Sequence, residues 1–156
     1  MIDLDALADR VRAAIPLTTH LDFRFTAFDG ERLTLTAPLA PNHNDKGTFF
    51  AGSQAALLTL AGWACTTLMA DSAVGEGEAS VDVVAVESSL QFRAPLHGDI
   101  EIRARADDGE SGRFHQRLKR RGKASLAILA QATDAEGVVV CEYQGLYLAR
   151  TNTDNA

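Results

Sequence analysis

Asn42-His-Asn-Asp-Lys-Gly-Thr-Phe-Phe-Ala-Gly-Ser53 runs without a break into Gln54-Ala-Ala-Leu-Leu-Thr-Leu-Ala-Gly-Trp-Ala-Cys-Thr-Thr-Leu-Met-Ala70. The first half is polar and carries Gly47 and Gly52; the second is apolar, with no proline and no charge. This reads as a loop feeding a buried helix. A helix start offers unpaired N–H groups and a partial positive charge, and glycines let a ligand approach the backbone. At about 100° per residue, Leu57, Leu60, Ala64 and Leu68 share one face of the helix. Ala55, Thr59, Gly62 and Thr66 share the opposite one. The bulky face suits a sheet wrapped around it. The small-residue stripe suits close approach of something else. The run is too short and too Thr-rich for a membrane span, which takes about 20 mainly apolar residues.

Working outward, Asp3–Ala14 reads as a short amphipathic helix, with Leu4, Leu7 and Val11 at helical spacing and Asp3 as its cap. Pro16 ends it. Two strands follow, Asp22–Phe28 and Arg32–Ala37, joined by the turn signal Asp29-Gly30. Pro38 and Pro41 bracket the exit into the loop. Beyond the long helix, Asp71–Ser80 is a connection rich in glycine and acid. From Val81 onward the chain reads as strands. Val84, Val86, Ser88, Leu90 and Phe92 alternate on one face of a long one, with Glu87 on the other. Further strands are expected through Ile100 and Ile102, and over Arg113–Arg121, Ser125–Thr133 and Val138–Leu148. Residues 1–150 form one domain and 151–156 a disordered polar tail.

The fold class is therefore α+β: an antiparallel β-sheet wrapped around one long central helix, with a short N-terminal helix. Such a sheet leaves one side of the helix uncovered, which predicts a homodimer or a tetramer. A net charge of −6 argues against a nucleic-acid partner. The start, Met1-Ile-Asp-Leu-Asp5, has no secretory pattern. Cys65 and Cys141 are read as reduced core thiols of a cytoplasmic protein, and their spacing does not suit zinc.

This arrangement resembles the hot-dog fold. Leu90-Gln-Phe-Arg-Ala-Pro-Leu-His-Gly-Asp99 is similar to a strand-turn-strand signature of hot-dog thioesterases. Asn42, Asn44, Gly47-Thr48, Phe50 and Gly52-Ser53, followed by Leu60-Ala-Gly-Trp63, resemble the YiiD-type thioesterase domain, and Ile15-Pro-Leu17 fits the same family. The resemblance covers about residues 4–149. It does not extend to the acetyltransferase domain that precedes this one in some bacterial proteins. It implies hydrolysis of an acyl thioester of coenzyme A or of an acyl carrier protein, with coenzyme A present as part of the substrate and no other cofactor. Better understood hot-dog thioesterases often carry His-Gly-Gly before the helix and an Asp or Glu about two turns in. Here Phe50 and Ala51 stand in place of the His and the first Gly, and Thr59 in place of the carboxylate.

Thioester hydrolysis needs donors for the developing oxyanion and a base or nucleophile. The amides around Gly52 and Ser53 are the donors on offer. Asn44 could polarise the carbonyl or hold the water, Asp45 is the first candidate base and His43 the second. Asn42, Gly47, Thr48, Phe50 and Thr59 complete the expected pocket. Each has a plainer reading: loop hydrogen bonding for Asn42 and Asn44, a solvated ion pair for Asp45 and Lys46, capping for Ser53, a hydroxyl bonded to a helix carbonyl for Thr59. Arg120 and Arg121, in the run Arg117–Lys123, are expected to bind the nucleotide phosphates of coenzyme A; a solvated face is the alternative. Two other functions stay open, a non-catalytic acyl-CoA binding module and a hot-dog dehydratase or hydratase. The latter needs a His with a carboxylate, and Gln54–Ala70 has none.

Overall fold

The computed structural model describes residues 2–75, 77 and 79–152. Its elements, in order, are α1 (Leu4–Ala14), β1 (Arg24–Phe28), β2 (Arg32–Ala37), α2 (Ala51–Val74), β3 (Ser80–Phe92), β4 (Ile100–Ala106), α3 (Glu110–Arg121), β5 (Lys123–Thr133) and β6 (Val139–Asn152). The six strands form one antiparallel sheet in the order β1-β2-β4-β5-β6-β3. The sheet wraps α2, as the hydropathy pattern predicts.

Local chemistry sets the early elements. Asp3 caps α1 by accepting from Ala6 N at 2.9 Å, and Leu7, Ala8 and Val11 are buried. In the β1–β2 turn the Asp29 carboxylate accepts from the amides of Glu31 and Arg32, which hold its carboxyl below the ordinary range. α2 is longer than the apolar run suggested. It gains Ala51-Gly-Ser53 at its start and Asp71-Ser-Ala-Val74 at its end, stopping where Gly75 takes φ +82°. At 1.5 Å per residue it spans about 36 Å. By length and composition it could cross a membrane, but most of it is buried within the protein.

Leu57, Leu60, Ala64 and Leu68 are all buried. The opposite stripe divides. Gly62 and Thr66 are buried too, whereas Ala55 and Thr59 are half-buried. What approaches Gly62 is the ring of Tyr147 from β6 of the same chain.

Three further sequence expectations change. Arg113–Arg121 is helix, not strand: Phe114 and Leu118, four residues apart, are its two buried side chains. Gly109 and Gly122 bound α3 in left-handed conformations that suit glycine. The parity of β3 also breaks. Ala85 pairs with Tyr147 and Glu87 with Leu146, so Val86 sits in a bulge. Paired residues share a face, so Val83, Ala85, Ser88, Leu90 and Phe92 face the helix side, while Val84 turns outward beside Leu148. Finally, β6 continues through Thr151 and Asn152, so the expected tail does not begin at 151. Residues 153–156 lie outside the described residues.

The two ends of the sheet differ. Lys123 and Asp82 both pair with Arg150, which gathers the starts of β5 and β3 at one end, together with α3 and the end of α2. At the other end the Leu39 amide donates to Asp99 and the Phe49 amide to the Leu96 carbonyl. Those bonds bring the loop and the start of α2 to that end.

Candidate active site

The loop before α2 is a small closed structure. Its backbone folds back through a His43–Phe49 bridge and an Asn44 N to Thr48 O bond of 2.8 Å. Asn44 fills the turn. Its Oδ1 accepts from the amides of Lys46 (2.8 Å) and Thr48 (3.0 Å), and its Nδ2 donates to Thr48 Oγ1 at 2.8 Å. Asn often closes turns in this way. Gly47 sits at the apex with φ +75° and open space around it, so it serves the turn.

Asn42 joins three segments. Its Nδ2 donates to the carbonyls of Leu21 (2.8 Å) and Pro38 (2.9 Å), and its own carbonyl accepts from Phe50 N at 2.7 Å. It is 2% exposed, and its Oδ1 has no partner among the described residues. Phe50 leads into α2 and exposes its ring over Gly52, where any Cβ would collide with it. A side chain at Gly52 would therefore need the exposed Phe50 ring to swing away. No side chain caps the helix, and the amides of Ala51, Gly52 and Ser53 have no partner among the described residues.

The sequence candidates for a base are on the surface. Asp45 is fully exposed and bonded to Lys46 at 3.0 Å, and that ammonium holds its carboxyl below the ordinary range. A lowered pKa makes a weak base. His43 is exposed, with Nδ1 3.0 Å from the Asn44 carbonyl. Thr59 donates to the Ala55 carbonyl at 2.8 Å, the plainer of its two readings. Arg120 and Arg121 lie on α3, at the far end of the sheet from this loop, so one chain does not bring them to the same ligand as Asn44.

The structure adds three side chains. Gln54, in the first turn of α2, is 4% exposed; its Nε2 lies 3.4 Å from the Phe49 carbonyl and its Oε1 is unpartnered. An amide opening an apolar helix was its signal in the sequence. Tyr143 and Tyr147 share a hydroxyl contact of 2.6 Å, and Tyr147 donates to the Thr59 carbonyl at 2.8 Å. Burial raises the Tyr147 pKa, so the phenol stays a donor. Cys65, by contrast, is an inert thiol, pushed up to about 12 by burial, and burial also raises Cys141.

In a single chain this is an open surface. The α2 face from Ala55 through Thr59 to Trp63 is half-covered, and Trp63 bonds to the Val83 carbonyl at 3.0 Å. Beside it, edge strand β3 exposes Ala85, Ser88 and Phe92 on its helix-facing side.

A family profile described as "putative thioesterase (yiiD_Cterm)" matches residues 4–151. The chain belongs to this family. A solved structure of a putative thioesterase from Shewanella oneidensis is similar at 26% identity and a TM-score of 0.82, over 94% of this chain and 96% of that one. A probable thioesterase from Pseudomonas aeruginosa matches at 29% identity and 0.78, over 97% and 99%. A Haemophilus influenzae thioesterase, at 15% identity and 0.75 over 99% and 96%, shares the fold. The architecture is the hot-dog fold of these thioesterases.

Proposed function

We propose that the protein hydrolyses acyl thioesters of coenzyme A or of an acyl carrier protein, as a homodimer. The observation that carries this is the start of α2, where the uncapped amides of Ala51, Gly52 and Ser53 stand beside a half-covered helix face. A thioester carbonyl aimed there would gain donors as its oxygen becomes an oxyanion. Water adds to the carbonyl carbon, the C–S bond breaks, and the thiolate leaves and takes a proton. His43 and Asp45 are the groups offered to take the proton from water. Asn44 holds the loop that presents them, and Asn42, Gly47, Thr48, Phe50, Gly52, Ser53 and Thr59 line or brace the site. No cofactor is needed for this reaction, and two free thiols suit a cytoplasmic setting.

A second reading, a non-catalytic acyl-CoA binding module, is favoured by Thr59, whose hydroxyl is committed to a helix carbonyl where other hot-dog enzymes place a carboxylate. A panel of acyl-CoAs with a free-thiol readout separates the two. Thiol release supports the hydrolase; saturable binding without release supports the module. Conversion of enoyl thioesters without release would indicate a hydratase.

The dimer is expected to form through β3. This edge strand leaves its outer row of backbone groups unpaired and its helix-facing side bare. Pairing two copies of it antiparallel around a twofold axis would cover both. Light scattering at micromolar concentration should give twice the chain mass, and Phe92→Glu should reduce it to one. A wild-type monomer would contradict this part of the reading.

A further inference from the structure

We propose that the exposed face of α3 is a docking surface for an acidic carrier protein, so that the substrate arrives on a carrier and not as free acyl-CoA. This rests on the thioesterase reading above and deepens it. Six of the eleven residues from Arg113 to Lys123 are cationic, in a chain of net charge −6. Arg113, Arg117, Lys119, Arg120, Arg121 and Lys123 are all exposed, and none forms an ion pair among the described residues. Like charges at Arg113/Arg117 and Arg117/Arg121 are spaced four apart and oppose the helix. Its last turn is eased only by the helix dipole.

The shape of this face selects the partner. α3 turns its apolar side chains, Phe114 and Leu118, inward. Outward it presents Gly112, Arg113, Gln116, Arg117, Lys119, Arg120 and Arg121, with no aromatic or aliphatic group to enclose an adenine or enter a bilayer. The charge is spread over a helix of about 18 Å. That suits the acidic flank of a folded protein better than one cluster of phosphates. Complementary fields of this kind speed encounter and weaken with salt.

Placement agrees. Within one chain α3 lies at the opposite end of the sheet from the Asn42–Ser53 loop. Antiparallel pairing of two β3 strands reverses one copy against the other, bringing the second copy's α3 to the end where this loop lies. A carrier held on α3 of one copy could then extend its flexible thioester arm towards the α2 start of the other.

The test uses the intact protein and a bacterial acyl carrier protein in holo form, with binding followed by fluorescence anisotropy. The affinity should fall with added salt. The triple variant Arg117→Glu/Arg120→Glu/Arg121→Glu should weaken it at least about tenfold, and the neutral triple variant with Gln should weaken it less. Both variants should keep the wild-type circular dichroism, because all three side chains are exposed. With acylated substrates, KM for acyl carrier protein should rise while KM for acyl-CoA and both kcat values hold. Unchanged carrier affinity in the Glu variant overturns the proposal. So does an equal rise in KM for acyl-CoA, which would give the face to nucleotide phosphates. Binding to vesicles of phosphatidylglycerol and phosphatidylcholine in equal parts, without carrier binding, would also overturn it. Charge-dependent carrier binding with no hydrolysis of any thioester would sink the thioesterase reading and leave the docking surface standing.

Discussion

Asn44→Ala is expected to lower turnover at least about a hundredfold while leaving the protein folded. Three hydrogen bonds of 2.8–3.0 Å from this one side chain hold the loop closed. The loop in turn sets Phe50 and the first amides of α2 through the Asn42–Phe50 bond. The loss of one well-placed oxyanion donor costs about 2.7–4 kcal/mol in the transition state, and a factor of ten in rate is about 1.4 kcal/mol. The loop is surface structure, so the melting temperature should change little. Asp45→Ala is the companion test. If Asp45 is the base, its variant loses activity to a similar degree. Because Lys46 holds the carboxyl low, the acidic limb of the rate profile must then fall below the ordinary carboxylate range. Near-normal turnover in Asp45→Ala moves the role to His43, tested by His43→Gln. If Asn44→Ala and Asp45→Ala are both harmless in an active enzyme, the chemistry is elsewhere.

Much of the fold was legible because punctuation and period agreed. Asp3 and Pro16 bracket α1, and Asp29-Gly30 marks the β1–β2 turn. The apolar run after Ser53 could only be a buried helix. α3 was missed because its basic residues suggested one charged strand face, although the Phe114/Leu118 spacing of four is helical. The bulge at Val86 had no local signal, since it depends on how β3 counts against β6. The loop of the candidate site was visible in its Asn and Gly residues, and the chemistry of its side chains was not. Asn44 and Asp45 look alike as polar loop residues, yet one braces the turn and the other points to solvent. Two tyrosines four apart on β6 share a face by the period of two. That they join hydroxyls beneath α2 follows from the wrapping of the sheet, which a single strand does not reveal.

Gly62→Ala is expected to destabilise the protein, although helix propensity alone predicts the reverse. In an unconstrained helix interior, replacing Gly by Ala gains about 0.8–1.0 kcal/mol. Here the added Cβ would lie 2.6 Å from Tyr147 Cζ and 2.7 Å from Cε2. Tyr147 has nowhere to go. It is fully buried, and its hydroxyl is held at 2.8 Å by the Thr59 carbonyl and at 2.6 Å by Tyr143. Overpacking of this kind costs about 1–3 kcal/mol, and a buried hydrogen bond broken by the displacement adds about 1–3 kcal/mol. Since α2 packs against β6 at this point, the strain falls directly on a contact between helix and sheet. The two costs less the propensity gain leave about 1–5 kcal/mol, so at about 2–4 °C per kcal/mol for a chain of this size the melting temperature should drop by roughly 2–20 °C. Tyr147→Phe provides the control, because it removes the hydroxyl pair without adding volume and should cost about 1–3 kcal/mol. Denaturant midpoints of the two variants decide the matter. A Gly62→Ala protein as stable as the wild type, or more so, would mean that α2 and Tyr147 do not make this close approach.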